Sequence, residues 1–270
     1  MIDVGRFRIS PGSGVDLAAH DPRDLADFAG SKAEGKAMIT EQSHRLDALQ
    51  EHLYADGGHR VLLVLQAMDT AGKDSTIRHV FGAVDPIGVR VASFKKPSTR
   101  ELAHDYLWRV HSQVPGNGEI VIFNRSHYED VLVVRVHSLV SEERWRKRYD
   151  HINDFERLLA DEGTTIVKCF LNVSFEEQAE RLQARIDTPE KRWKFNSGDL
   201  DERKLWPDYM AAYEEAISRT STEHAPWYVV PADRKWFRNL VVSQILLDTI
   251  GGLDLTWPEP EEGIEDIVVA

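Results

Sequence analysis

Five apolar runs divide the chain, and a stretch with helical spacing follows each of them. Residues 61–65 (Val-Leu-Leu-Val-Leu) show no polar alternation, which suits a central parallel strand buried on both faces. Residues 89–94, 119–123, 164–171 and 227–230 supply four further strands. Helical periods lie between them. Leu46, Leu49 and Leu53 mark a helix over about residues 42–54, which enters the first strand through Asp56-Gly57-Gly58. Ser98 and Glu101 have the spacing of a capping box, and Leu102, Tyr106 and Val110 form the expected core face of the helix behind it. Trp145, Tyr149, Ile152, Phe155 and Leu159 do the same for residues 141–159, where Arg144, Arg146, Lys147 and Arg148 are expected on a solvated face. Helices are also expected after Ser174, over 205–219, and after Asp233, the last presenting Trp236, Leu240, Ile245 and Leu246 to the core. Alternation with crossovers of this length predicts an α/β fold: a five-stranded parallel sheet covered by helices on both faces. Residues 1–35 predict an arm lying on the domain, and the tail from Leu253, with six acidic residues and no Lys or Arg, a solvated end.

Composition narrows the class. With 270 residues, 42% hydrophobic and 29% charged, the chain can bury one sizeable core, so a single domain over 1–270 is expected. The start lacks a basic-then-apolar leader, and no stretch approaches the ~20 apolar residues of a membrane span, so a cytoplasmic location is expected. The only cysteine, Cys169, lies in an apolar run and reads as a buried small hydrophobe. A formal net charge of −12 argues against broad binding of nucleic acid or anionic membrane. An anionic substrate must therefore be held by local basic clusters.

The strand ends carry the candidate chemistry. After the first strand, residues 67–73 (Ala-Met-Asp-Thr-Ala-Gly-Lys) keep the spacing of a phosphate-binding loop, with Ala71, Gly72 and Lys73 at its helix-forming end. Ala67 stands where the first glycine is usual, and Asp74 where a Ser or Thr would meet Mg²⁺. Asp69 and Asp74 would repel a phosphate unless a divalent cation sat between, so Asp69 is the expected metal-organising carboxylate. Lys95 and Lys96 end the second strand. The third runs into Asn124-Arg125-Ser126-His127-Tyr128-Glu129-Asp130, on the side of a parallel sheet where ligands bind. There Asn124, a carbonyl ligand without charge, holds the position of the second metal-supporting group, and Arg125, Glu129 and Asp130 are expected to form one polar cluster in which Asp130 and Glu129 support metal-bound water or the acceptor. Residues 187–200 change character to basic and aromatic between a Pro and a Gly, the composition of a lid that closes over phosphates.

These residues carry a resemblance. The segments beginning at Gln66 (QAMDTAGKDSTIRHV), Ala92 (ASFKKPS), Phe123 (FNRSHYEDVLVVRVH), Lys191 (KRWKFNSGDLDER) and Ala225 (APWYVVPADRKWFRNLVVSQIL) resemble the polyphosphate kinase 2 family, in particular its class III-like branch. The resemblance spans about residues 40–250 and departs at Ala67 and Ser75, which replace glycines common in the family loop. It implies a three-layer P-loop kinase fold with a helical lid. It also implies transfer of the terminal phosphate of inorganic polyphosphate to nucleoside mono- and diphosphates (AMP, ADP, and guanine nucleotides as further candidates), with ATP among the products. Mg²⁺ is the implied ion, Mn²⁺ its substitute, and a homo-oligomer is expected. Carried onto this chain, catalysis falls to Asp69, Lys73, Arg125 and Asp130. Binding falls to Ala71, Gly72, Asp74, Lys95, Lys96, Asn124, Glu129, Arg135, Arg185, Lys191, Arg192, Lys194, Phe195 and Asn196, with Asp69 and Asp130 on the metal. Asn124 with Glu129 resembles the branch that accepts both acceptor lengths. An ATP-dependent kinase of the same fold and a non-catalytic nucleotide-binding module remain the alternatives.

Overall fold

A computed structural model describes residues 2–269. Its elements, in chain order, are α1 (Lys32–Asp56), β1 (Arg60–Gln66), α2 (Lys73–Val80), β2 (Val89–Ser93), α3 (Thr99–Leu102), α4 (Trp108–His111), β3 (Ile120–Asn124), α5 (Val133–Val136), α6 (Glu142–Asp161), β4 (Thr164–Asn172), α7 (Phe175–Asp187), α8 (Gly198–Lys204), α9 (Trp206–Thr220), β5 (Trp227–Pro231) and α10 (Lys235–Gly251). The strands form one parallel sheet in the order β2-β3-β1-β4-β5. Its centre is β1, where Val61 to Leu65 are all buried, as a strand flanked by two parallel neighbours requires. Helices α1, α2 and α10 pack together in one outer layer, and α5, α6 and α9 in the other. Because every strand points the same way, the loops after β1, β2, β3, β4 and β5 converge at one end.

The two sheet edges are treated differently. At β5 the N-terminal arm covers the edge: Arg8 bridges Tyr228 in antiparallel fashion, and the Ile9 amide donates to the Trp227 carbonyl at 2.8 Å. Ile2, Val4, Phe7, Ile9 and Leu17 bury themselves along this route. At β2 no strand of the described residues covers the outer edge.

Several boundaries differ from the periodicity. Helix α1 begins at Lys32, because Ser31 and Glu34 close a capping box inside the expected arm. The helix expected after Ser98 has its capping box but ends at Leu102, which is exposed; Asp105 accepts from the Leu107 and Trp108 amides and starts α4 instead. In α6 the apolar stripe is buried as expected, but Arg148 is buried with it. The acidic tail is exposed, yet Thr256 donates to Asp56 and Trp257 stacks on His52 at 4.3 Å.

Candidate active site

The loop after β1 is held open by its backbone. Thr70 (φ 66°) and Gly72 (φ 109°) both lie in the left-handed region. For a β-branched residue such as Thr70 this costs on the order of 1–2 kcal/mol, so something must hold it there. Two buried arginines do. Arg181 Nη1 donates to the carbonyls of Thr70 (3.2 Å) and Ala71 (2.8 Å), and Arg238 Nη1 donates to Ala71 at 2.7 Å. Arg181 is itself fixed by Glu177 and by the carbonyls of Ala232 and Asp233. Drawing both loop carbonyls toward α7 and α10 turns them from the cleft; the Ala71 N–H is spent on the Met68 carbonyl at 3.2 Å, and the N–H groups that open α2, which have no partner within the helix, are left for an anion. Gly72 is required by the same packing, since a Cβ there would collide with Arg238 Nη1. Among the described residues Arg238 has no carboxylate partner, and burial together with the neighbouring Arg181 lowers its pKa to about 9, still protonated at neutral pH.

Above this floor lies a cleft of about 900 Å³, lined by ten Lys and Arg side chains against four carboxylates, which concentrates positive charge within a chain of net −12. Lys73 reaches from the first turn of α2 back to the Ala67 carbonyl at 2.9 Å. Burial lowers its pKa, with Asp69 opposing the shift. Asp69 Oδ1 accepts from Arg125 Nη2 at 2.8 Å, and Asp74 accepts from Asn124 at 2.6 Å, so the ends of β1 and β3 are tied across the cleft. Arg125, like Thr70, has a left-handed backbone (φ 61°). Behind it Gln66 donates to Ser126, and a fully buried network of Lys168, Glu156, His127, Tyr128 and Thr220 fixes the next turn, with Lys168 Nζ 2.5 Å from Glu156.

Asp69 and Arg125 also line a second cavity, of about 270 Å³, with Glu129, Asn196, Asp199, Glu202, Tyr209 and Tyr213. Burial raises the Glu129 pKa against the pull of Arg125, whose guanidinium lies 3.9 Å away. The segment expected to act as a lid is the 3₁₀ turn Pro189–Lys194 followed by α8, and Arg185 ties it down, donating to Asp199 at 3.2 Å and to the Lys194 carbonyl at 3.3 Å.

The structure therefore gathers Asp69, Gly72, Lys73, Asp74, Lys95, Lys96, Asn124, Arg125, Arg185, Lys191 and Lys194 around one cleft, and Glu129 and Asn196 around its neighbour. Ala71 is buried beneath and contributes its carbonyl to the brace. Four expectations need correction. Asp130 lines neither cavity: its carboxylate and its carbonyl both accept from Arg148, at 2.8 and 2.9 Å, so it is no candidate for the metal. Arg135 is committed to Glu215 at 2.6 Å and to the Trp145 ring. Arg192 turns back to the Ile186 carbonyl at 2.8 Å, and Phe195 lines neither cavity. Sequence reasoning missed Arg181, Arg238 and Lys235, which line the floor. Their signal was position: Arg181 lies one turn before Arg185, and Lys235 and Arg238 begin the helix after the last strand.

Asp69 and Asp74 fit a divalent ion that completes its shell from phosphates. Among the described residues no group of three or more His, Cys, Asp or Glu forms a protein-only cage, and Mg²⁺ characteristically takes one or two carboxylates plus substrate oxygens.

A parallel sheet ending in a braced phosphate loop, under a basic lid, defines the P-loop kinase fold. The family model for polyphosphate kinase 2 matches residues 29–256, and the chain belongs to that family. It is 58% identical to the AMP/ADP-polyphosphate phosphotransferase of Meiothermus ruber, over 98% of this chain and 99% of that one. It is 46% identical to the ADP-polyphosphate phosphotransferase of Rhodopseudomonas palustris, over 96% and 93%. The crystal structure of polyphosphate kinase 2 from Arthrobacter aurescens TC1 superposes with a TM-score of 0.95 at 48% identity, covering 98% of this chain and 95% of that one.

Proposed function

We propose that this chain transfers the terminal phosphate of inorganic polyphosphate to AMP and to ADP, with Mg²⁺ bound between Asp69 and the phosphates. The observation that carries this reading is the large cleft, where ten cationic side chains face four carboxylates and, beyond the two arginines that brace the loop, Lys73, Lys95, Lys96, Lys191, Lys194 and Lys235 supply an excess of positive charge that suits a polyanion. The reacting end of the donor lies on the loop above Gly72, where Lys73 and Arg125 neutralise the oxygens of the phosphate in flight as its bond loosens. The metal ion, when bound, supplies further neutralisation of those oxygens. The acceptor enters from the smaller cavity, its phosphate at Arg125 and its nucleoside among Tyr209, Tyr213 and the carboxylates, which accept from hydroxyl and amino groups. Lys191 and Lys194 on the lid add charge over the donor as it closes.

The names of the relatives support both acceptor lengths, and a Corynebacterium glutamicum relative, 34% identical and named a putative GDP-polyphosphate phosphotransferase, makes guanine nucleotides a further candidate. The test is the purified protein with polyphosphate and Mg²⁺ against AMP, ADP, GMP and GDP in turn, beside ATP as donor with non-nucleotide acceptors. Turnover of AMP and ADP at the expense of polyphosphate is expected. Fast transfer from ATP to a non-nucleotide without use of polyphosphate would point to an ordinary kinase of the same fold.

A further inference from the structure

The main cleft opens at Lys95 and Lys96 onto another cavity. This cavity, of about 400 Å³, shares Ser93, Phe94, Lys95 and Lys96 with the cleft and continues along β2 to Trp108, Arg109 and Ser112 of the α4 region. It lies at the sheet edge that the N-terminal arm leaves open.

Arg109 is the feature that needs an explanation. Its side chain is only 10% exposed, yet its sole hydrogen bond among the described residues runs from Nη1 to the Lys95 carbonyl, at 2.8 Å. Glu101 stands 4.0 Å away, beyond hydrogen-bonding distance, and the guanidinium lies over the Phe94 ring at 5.5 Å. Nε and Nη2 make no hydrogen bond among the described residues; Asp130, already bonded to Arg148, is close enough to feel the Arg109 charge without taking these donors, and in the cavity lining Lys95, Lys96 and Arg109 outnumber one carboxylate, Glu101. A mostly buried, fork-shaped cation with unspent donors suits phosphate oxygens. It does not suit a nucleobase, because the aromatic group at hand is already engaged: Trp108 stacks on His104 at 4.1 Å and has the Arg100 guanidinium 5.5 Å from its ring.

We propose that this cavity is a distal subsite for the donor, holding phosphates several units from the reacting end, and that it makes the enzyme favour long polyphosphate over short. The inference rests on the reading of the donor as polyphosphate. A linear polyanion longer than the cleft must leave it, and the shared lysines mark an exit on which positive charge continues. Each added cation contact is made only by chains long enough to reach it, so the subsite lowers KM for long donors and leaves the smallest ones untouched.

The test compares KM for long-chain polyphosphate and for tripolyphosphate, with saturating AMP and Mg²⁺, in the wild type, Ser112→Glu and Arg109→Gln. Ser112 is exposed and lines this cavity but not the cleft, and its hydroxyl bonds only within its own turn, where it donates to the Arg109 carbonyl at 3.0 Å, so the new carboxylate repels a chain there and a thermal melt controls for the lost bond. Both variants are expected to raise KM for the long donor by about fivefold, the size of one partly screened charge contact, with the tripolyphosphate KM unchanged. An equal change for both donors would assign Arg109 to holding the Lys95 carbonyl, and no change in either variant would empty the subsite of any role; each result overturns the proposal. A rise in the KM for AMP, read in a second series at saturating long-chain polyphosphate, would instead make the cavity a nucleotide pocket, also against it. If the wild type consumes neither donor, the donor reading itself falls, an outcome distinct from loss of length selectivity alone.

Discussion

The floor of the cleft and the basic segment over it, which the proposed function sets on the same phosphates, are built in opposite ways. On the floor, Lys73, Arg181 and Arg238 are buried, and each donates to a loop carbonyl from a fixed position. On the lid, Lys191, Arg192, Trp193 and Lys194 are exposed, and the tethers to α7 are Arg185, bonded to Asp199 and the Lys194 carbonyl, Arg192, bonded to the Ile186 carbonyl, and Arg203, bonded to Phe175 and Gln178. A floor cation has already been desolvated during folding, so it meets the transition state without reorganising, which is where electrostatic stabilisation is largest. A lid cation keeps its water until closure and contributes mainly to holding the chain. The floor should therefore govern kcat and the lid KM.

The largest expected effect is on the floor. Lys73→Ala should lower kcat by ~10²-fold or more while leaving the fold intact, as loss of a transition-state charge partner does; steady-state rates beside a thermal melt check this. Asp69→Asn keeps the shape and removes the charge, and should raise the Mg²⁺ concentration at half-saturation by about tenfold. A titration in which neither that concentration nor the rate moves would reduce Asp69 to a turn residue. The brace gives a third prediction. Arg238→Met releases the Ala71 carbonyl and should depress turnover, and adding Thr70→Gly should recover part of the loss, because glycine holds the left-handed loop without help. Failure of the second substitution to rescue would mean that Arg238 acts as a charge on the donor rather than through the loop.

On the lid, Lys191→Ala with Lys194→Ala should raise KM for polyphosphate and leave unfolding within about 0.5 kcal/mol, since both side chains are exposed. Added salt should mimic part of the defect. Arg192→Ala, whose guanidinium faces the Ile186 carbonyl, should do much less. The smallest effect concerns pH. Burial lifts the Glu129 carboxyl above its ordinary range, so it protonates sooner as pH falls, and the acid limb of kcat/KM should lie correspondingly high. Glu129→Gln should flatten that limb without moving the alkaline one.

The contrast also explains what could be read from the chain. The five strands, the loop and the basic segment over the cleft were legible because each writes itself in local pattern: apolar runs, glycine and lysine at a strand end, basic residues between two helices. The partners of buried charges were not. Arg148 sits among Arg144, Arg146 and Lys147 and looks solvated, yet it and Glu156 fall on the stripe of Trp145, Tyr149, Ile152 and Leu159, the place where a charge must find a partner. Arg148 found Asp130 and took it from the cleft; Glu156 found Lys168, hidden in the run that holds Cys169. Arg238 had no such stripe to betray it, because α10 is buried almost all round from Phe237 to Leu247. Pairing between elements, over 12 residues for Glu156 and Lys168, 18 for Asp130 and Arg148 and 167 for Ala71 and Arg238, is a property of the fold, and neither spacing nor composition encodes it locally.

The account turns on polyphosphate as the donor acting through a charged floor, and ³¹P NMR of the purified protein with Mg²⁺, AMP and polyphosphate tests both at once. The wild type should convert AMP to ADP while the chain-interior phosphate signal declines, and Lys73→Ala should leave both signals still over the same time. A wild type that forms no ADP from polyphosphate, or a Lys73→Ala protein that forms it at the wild-type rate, would contradict the account.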